Sequence, residues 1–365
     1  MYIKRLILSN FKNIASADLT FSDRINCICG DNGEGKTNLL DAIHYLSMTK
    51  SFLQSSDRFT YSYGASEATL CGVYEKDGYE DKIAISVRNT GEKLVKKNDK
   101  NYPRISEHIG YIPIVVISPS DTSLIHDSGE ERRRFMNVVL SQTDPQYLRA
   151  MQSYNRVLAQ RNKLLKSDVA PSKILLEAFS AQLQRDGDYI FRKRGELARE
   201  LEGMTTRFYS MLSDGKESVS LEYSSDLKKG TMGELLDASY QRDVILKYTS
   251  VGIQRDDYDF NMNGYPIKKC SSQGQQKTFL IALKLAQLTM MRQRYGFSPI
   301  LLLDDVFDKL DMRRVEQLIN MVSKEGFGQL FVTDSNKVRV SDLVRKLDSE
   351  SKFFTVTKGV FSEIK

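Results

Sequence analysis

The stretch that most constrains this chain is Gly30-Asp31-Asn32-Gly33-Glu34-Gly35-Lys36-Thr37. It fits the pattern G-x-x-x-x-G-K-[ST], in which consecutive main-chain N–H groups ring a phosphate chain, the lysine reaches the terminal phosphates and the hydroxyl ligates Mg²⁺. Such a loop belongs between a buried strand and a helix start, because the orphan N–H groups and the macrodipole of a helix N-terminus favour an anion. The flanks supply both. Ile25-Asn26-Cys27-Ile28-Cys29 reads as a buried parallel strand, and the apolar spacing from Asn38 to Leu46 reads as a helix. The expectation is an α/β P-loop NTPase that binds ATP and Mg²⁺ through Gly30, Asp31, Asn32, Gly33, Glu34, Gly35, Lys36, Thr37 and Asn38, with Thr37 on the metal.

A chain of 365 residues, 41% of them hydrophobic, has material for two or three compact units. Met1 to Leu6 alternates where a secretory signal would have an apolar core, and no run approaches the roughly 20 apolar residues of a membrane span. A cytoplasmic protein is expected. Cys27, Cys29, Cys71 and Cys270 have neither metal-ligand nor disulfide-framework spacing and are expected to be buried, reduced thiols.

The first hundred residues read as strands, Ile3 to Ser9 and Asp18 to Phe21 around the turn Asn10-Phe11-Lys12-Asn13, and Ala68 to Glu75 with Asp81 to Arg88 as a hairpin across Asp77-Gly78. Another buried strand spans Ile112 to Ile117. From about residue 130 the pattern turns helical, with segments over 131–166 and 174–212 separated by the breaker-rich stretch 167–172. Leu176, Phe179, Leu183, Ile190, Leu197, Leu201, Met204 and Phe208 form a coiled-coil-like seam that Gly187 and Arg194 interrupt. This predicts either a projecting helical arm or a packed helical subdomain. The expected division is 1–120 and 241–365 as a head, with 121–240 inserted. Residues 131–213 hold 15 Lys and Arg against 9 Asp and Glu, so this stretch carries the +6 of the whole chain, chiefly at Arg132-Arg133-Arg134 and Arg192-Lys193-Arg194.

Four motifs in the second half complete a set with the glycine loop. Ser272-Gln273-Gly274-Gln275, opening a helix from Thr278 to Arg292, resembles the signature loop of the ABC ATPases, with Gln273 where a transporter has glycine. Ile300 to Leu303 followed by Asp304-Asp305 is a Walker B pattern, and Phe307-Asp308-Lys309-Leu310-Asp311 stands where that superfamily has its D-loop. The strand Gln329 to Asp334 ends with Asp334 in the place of the switch histidine. The order of these elements predicts an ABC-ATPase head with an inserted helical arm. An insertion of about a hundred residues excludes a simple kinase and is too short for the condensin-type coiled coils.

Over essentially the whole length the chain resembles the RecF family of bacterial DNA replication and repair proteins. The residues that carry this are Asn10 to Asn13, Gly30 to Thr37, Ser118-Pro119-Ser120-Asp121, Glu131 to Phe135, Arg255-Asp256-Asp257, Asn263-Gly264, Ser272 to Lys277 and Leu303 to Val306, with Gly252-Ile253-Gln254-Arg255 departing from the family's Gly-Pro-His-Arg. The resemblance implies a slow, DNA-stimulated ATPase that dimerises on ATP at double-stranded and gapped DNA and works with RecR and RecO to load recombinase. It implies catalytic roles for Lys36, Asp304 and Asp305, metal ligation by Thr37 and Asp304, and contact of Ser272, Gly274 and Gln275 with the ATP of a second subunit. Ser118 or Asp121 stands where relatives place a Q-loop, Lys12 and Asn13 are candidates to touch phosphate or adenine, and Arg255 is a candidate near the composite site. A transporter's nucleotide-binding subunit and a non-catalytic ATP-sensing scaffold remain as alternatives.

Overall fold

The computed structural model describes residues 1–54, 56–167, 173–307, 312–324, 328–335, 344–345 and 350–364. They divide into two compact units. The first holds Met1–Asp121, Met211–Asp214 and Leu280–Lys365; the second holds Thr122–Ser210 and Gly215–Phe279. The return to the first unit, expected near residue 241, comes at Leu280.

Two six-stranded sheets build the first unit. One is antiparallel, in the order Ile14–Thr20, Tyr2–Phe11, Glu67–Lys76, Tyr79–Arg88, Lys93–Lys97, Lys100–Asn101. Its central hairpin closes on Asp77-Gly78, with φ of 52° and 81°, the left-handed pair that a two-residue type I′ turn demands. The other sheet runs Val360–Ile364, Lys352–Thr357, Ile25–Cys29, Leu330–Asp334, Ile300–Leu303, Ile114–Ile117, and every neighbouring pair is parallel except the first. Ile25–Cys29 and Ile300–Leu303 are buried at every position, which is why they read as unbroken runs.

The parallel register sets Asp334 beside Cys29, and Leu303 beside both Val332 and Ile117. The glycine loop, Asp304-Asp305 and Asp334 therefore all leave from one carboxyl edge, where open α/β sheets bind ligands. The helix Lys36–Met48 is fixed against this edge by Leu39, Leu40, Ile43 and Leu46, which join one core with Phe11, Ile28, Phe331 and Phe354. Burial stabilises by about 1.5–3 kcal/mol for each such side chain.

The second unit contains the helices Gly129–Thr143, Pro145–Leu165 and Met232–Leu246, most of Lys173–Ser213, and a three-stranded antiparallel sheet in the order Tyr265–Pro266, Asp257–Met262, Val219–Ser224. The single helix expected over 131–166 is broken at Asp144-Pro145. Asp144 caps the new helix by accepting from the N–H groups of Gln146 and Tyr147, and Pro145 occupies the position where its missing N–H costs nothing. Residues 168–172 of the expected breaker lie outside the described residues. Leu176, Leu183, Ile190, Leu197, Leu201 and Phe208 are buried as the seam requires, whereas Phe179 and Met204 are half-buried. Gly187 belongs to the seam as well, since a Cβ there would stand 3.3 Å from the ring of Tyr154.

Candidate nucleotide-binding site

Backbone geometry dictates the glycines of the loop. Gly33 and Gly35 have φ of 85° and 116°, and a Cβ on Gly30 would come 2.7 Å from the carbonyl oxygen of Val356. Lys36 is buried, and its Nζ donates to the carbonyls of Gly30 at 2.8 Å and Asp31 at 3.1 Å. Thr37 Oγ1 donates to Asp304 Oδ1 at 2.9 Å, which joins the glycine loop to the Walker B aspartate across 267 residues of chain.

A third residue completes this junction. Thr333, on the strand between the two motif strands, donates its hydroxyl to the same Asp304 oxygen at 2.8 Å and accepts the Asp305 N–H at 3.0 Å. Asp305 sits at φ 45°, a left-handed conformation that aspartate tolerates better than most residues. Burial pushes the Asp304 carboxyl above the usual carboxylate range; the hydroxyls of Thr333 and Thr37 pull it back in part, the Asp305 charge adds to the rise and Lys36 opposes it. Neither Lys36 nor Asp304 is ion-paired among the described residues.

The signature segment belongs to the second unit. Ser272 is exposed and caps the helix Gln273–Tyr295 reciprocally: its Oγ accepts the Gln275 N–H at 3.3 Å, and Gln275 Oε1 accepts the Ser272 N–H at 2.7 Å. Gln275 Nε2 donates to Glu217 at 2.8 Å, and the Gly274 carbonyl accepts from Thr278 Oγ1 at 2.8 Å. The helix start is thereby fixed to the rest of its own unit.

The model of the RecF/RecN/SMC N terminal domain family matches residues 2–360. The DNA replication and repair protein RecF of Parabacteroides distasonis is 42% identical over 359 residues, covering 98% of each chain. The chain belongs to the RecF family. The RecF of Bacteroides thetaiotaomicron is 40% identical, covering 100% of this chain and 99% of its own. A solved structure of the recombination mediator protein RecF-ATP superposes with a TM-score of 0.89 at 30% identity, covering 100% of this chain and 98% of that one. The Smc head domain of Pyrococcus furiosus, at 18% identity and a TM-score of 0.57, shares the fold.

In this RecF-family chain several residues expected at the ligand also hold the protein's own structure. Lys12 is buried in an ion pair with Asp41 at 2.6 Å. Asn13 Oδ1 accepts from Asn38 Nδ2 at 2.7 Å, so these two side chains hold the loop's flank. Glu34 is tied to the far end of the chain, its carboxylate accepting the Lys358 N–H and its carbonyl the Gly359 N–H at 2.9 Å. Asp121 binds Lys284 at 2.7 Å and the Ser118 N–H at 2.9 Å, and Arg255 stands 3.5 Å from Asp226. Asp308 to Asp311 lie outside the described residues. Cys270 is exposed, against expectation, while Cys27 and Cys29 are buried.

Two supports escaped the sequence reading. The turn Lys358-Gly359, with φ of 50° and 76°, carries a hairpin signal and a glycine whose Cβ would lie 2.3 Å from the Asn13 carbonyl, but nothing local says that it grips the loop. Thr333 had only its place one residue before Asp334 to recommend it.

The arm's arginine runs also resolve into parts. Arg194 is buried, its Nη1 2.6 Å from Asp256, and Arg132 makes a two-pronged contact with Asp257 at 2.5 and 3.0 Å. Both are structural. Arg192 remains exposed.

Proposed function

We propose that this chain is an ATP-dependent DNA-binding protein of recombinational repair, which dimerises on ATP at gapped DNA, hydrolyses ATP slowly under DNA stimulation and works with RecO and RecR. The observation that carries the reading is the Thr37–Asp304–Thr333 junction, which brings the two motif ends of an ATPase head together at one sheet edge. The solved relatives, named as RecF-ATP and RecF-ATPrS in the RecFOR pathway, support the ligand and the pathway.

Two groups in the site await opposite charge. Lys36, which donates to the carbonyls of Gly30 and Asp31, fits the β- and γ-phosphates; Thr37 and Asp304 present a hydroxyl and a carboxylate, hard oxygen donors that suit Mg²⁺. Bound there, Mg²⁺ supplies neutralisation of the phosphate oxygens. Thr333 aims Asp304 and fixes the main chain of Asp305, whose carboxylate is the group to orient and deprotonate the attacking water. Aspartate is shorter than the glutamate usual in transporters, which suits slow turnover. Ser272, Gly274 and Gln275 close over the ATP of a second subunit, so the nucleotide joins the dimer and its hydrolysis releases it.

Mass by light scattering, with and without Mg-ATP, tests this. Mass should double with nucleotide in the wild type, stay monomeric in Ser272→Arg, and stay doubled for longer in Asp305→Asn. A wild type that remains monomeric in saturating Mg-ATP overturns the composite site. ATPase activity indifferent to duplex DNA favours the transporter alternative, and no turnover favours the scaffold.

A further inference from the structure

We propose that the groove between the helices Pro145–Leu165 and Lys173–Ser213 binds the phosphate backbone of duplex DNA, with Arg149 and Arg185 as its central contacts. This rests on the DNA-binding reading above and names the surface within it. The helices run antiparallel, since Gln182 Nε2 donates to Ser153 Oγ at 3.1 Å and Tyr189 OH donates to Asp144 at 2.7 Å. That register sets Arg149 across from Arg185. Between them lies a cavity of about 330 Å³ lined chiefly by Gln146, Arg149, Ser153, Arg185, Asp186 and Tyr189.

Some of the unit's arginines are committed to carboxylates and others are not, and four of the latter flank the groove. Arg132, Arg161 and Arg194 each close on a carboxylate, at 2.5, 2.8 and 2.6 Å. Arg149 and Arg156 make no hydrogen bond or ion pair among the described residues. Arg185 reaches only its neighbour Asp186, at 3.6 Å, too long for a hydrogen bond, and Asp186 is already held by Gln182 at 2.7 Å. Arg192 lies over the Tyr189 ring, 5.3 Å from its centroid. These four guanidinium groups make no hydrogen bond to a carboxylate among the described residues, and the planar fork of the side chain suits phosphate oxygens.

The spacing of the arginines favours a phosphate backbone. Arg149 and Arg156, like Arg185 and Arg192, are seven residues apart, about 10 Å along a helix. Phosphates of one DNA strand advance about 3.4 Å each along the duplex axis, so each arginine pair spans about three steps. The cavity wall carries amide, hydroxyl and guanidinium groups beside the Tyr189 ring, Ala150 and the Asp186 carboxylate, the last already held by Gln182 at 2.7 Å.

The test is the double variant Arg149→Gln/Arg185→Gln in the full chain, titrated by fluorescence anisotropy with duplexes of unrelated sequence over a salt series in Mg-ATP. Affinity should fall alike for all sequences, and the slope of log affinity against log salt should shrink by about 1.8, two contacts at about 0.9 each. Thermal unfolding and ATP affinity should stay at wild-type values, because neither side chain is buried in a bond. Unchanged affinity and slope, in a variant whose parent binds DNA, overturn the groove while leaving the DNA reading in place. An equal loss in the control Arg199→Gln/Arg207→Gln, exposed on the same long helix outside the groove, overturns it too. A parent that binds no duplex overturns both.

Discussion

Each unit buries a cluster of charges, and the two clusters follow opposite rules. In the second unit the Arg194 guanidinium is shared among Asp256 at 2.6 Å, the Ile253 carbonyl at 2.7 Å, Asn137 at 3.0 Å and Tyr147 at 3.1 Å, while Tyr223 donates to the same carboxylate at 2.5 Å. The charges there cancel. In the first unit Lys36 and Asp304 are each only 4% exposed, yet Lys36 meets carbonyls and Asp304 meets hydroxyls. An ion buried against neutral dipoles is costly to hold, and such a group persists where its charge is used. Closure of charge, and not burial, therefore separates the structural cluster from the candidate site.

The largest effect should come from opening the closed cluster. Arg194→Met leaves Asp256 buried without its cation, and breaking such a pair costs about 3–5 kcal/mol. Denaturant unfolding should register that loss with no nucleotide present; a variant within 1 kcal/mol of wild type would show, on the scale of such measurements, that the cluster is not what holds the second unit. Reversing the whole run Arg192-Lys193-Arg194 is consequently no clean probe of DNA contact, because its third member is core.

That run shows where sequence reading stops. Three adjacent basic residues look alike on paper, but successive helix positions are rotated by about 100°, so Arg194 enters the core while Arg192 stays outside. The glycine loop, its strand and helix, the Asp77-Gly78 hairpin and the buried Walker B strand were legible because local pattern alone specifies them. The junction at Asp304 and the grip of Lys358-Gly359 on Glu34 were not, since they join residues 29 and 324 positions apart and only the sheet order reveals them. The break at Asp144-Pro145 carried a readable signal, a capping aspartate before proline, that outweighs helical periodicity.

On the open cluster the effects should fall on ligand before fold. Lys36→Ala removes a charge-assisted contact to phosphate, about 1.5–3 kcal/mol, or roughly a tenfold to hundredfold loss of ATP affinity by calorimetry. Its unfolding midpoint should match wild type within error. Equal ATP affinity in the variant would show that the lysine is not a phosphate ligand. Thr333→Val strips the hydroxyl that serves both Asp304 and the Asp305 N–H, which should lower kcat for ATP hydrolysis while KM stays near wild type and destabilise the free protein by about 1–3 kcal/mol. Thr333→Ser should restore both. Failure of serine to rescue would assign the effect to the lost methyl packing instead.

The smallest expected effect has the opposite sign. Because burial raises the folded-state pKa of Asp304 above its unfolded value, the favourable contribution of its protonated form is fully present below the unfolded pKa and lost as pH rises through the folded one. Above that pKa the ligand-free protein carries an ionised carboxylate that it holds at a cost. Asp304→Asn keeps an oxygen to accept from Thr37 and Thr333 but removes the charge, so the free variant should be more stable than wild type at pH 7 by on the order of 1 kcal/mol. The gap should narrow as pH falls through the raised folded-state pKa and the wild-type carboxyl takes up its proton. Mg-ATP should reverse the ranking, raising the unfolding temperature of the wild type and leaving the variant nearly unmoved. A closed cluster would respond the other way, losing stability on neutralisation, so a destabilised Asp304→Asn at pH 7 would place Asp304 with Asp256 and erase the distinction between the two units.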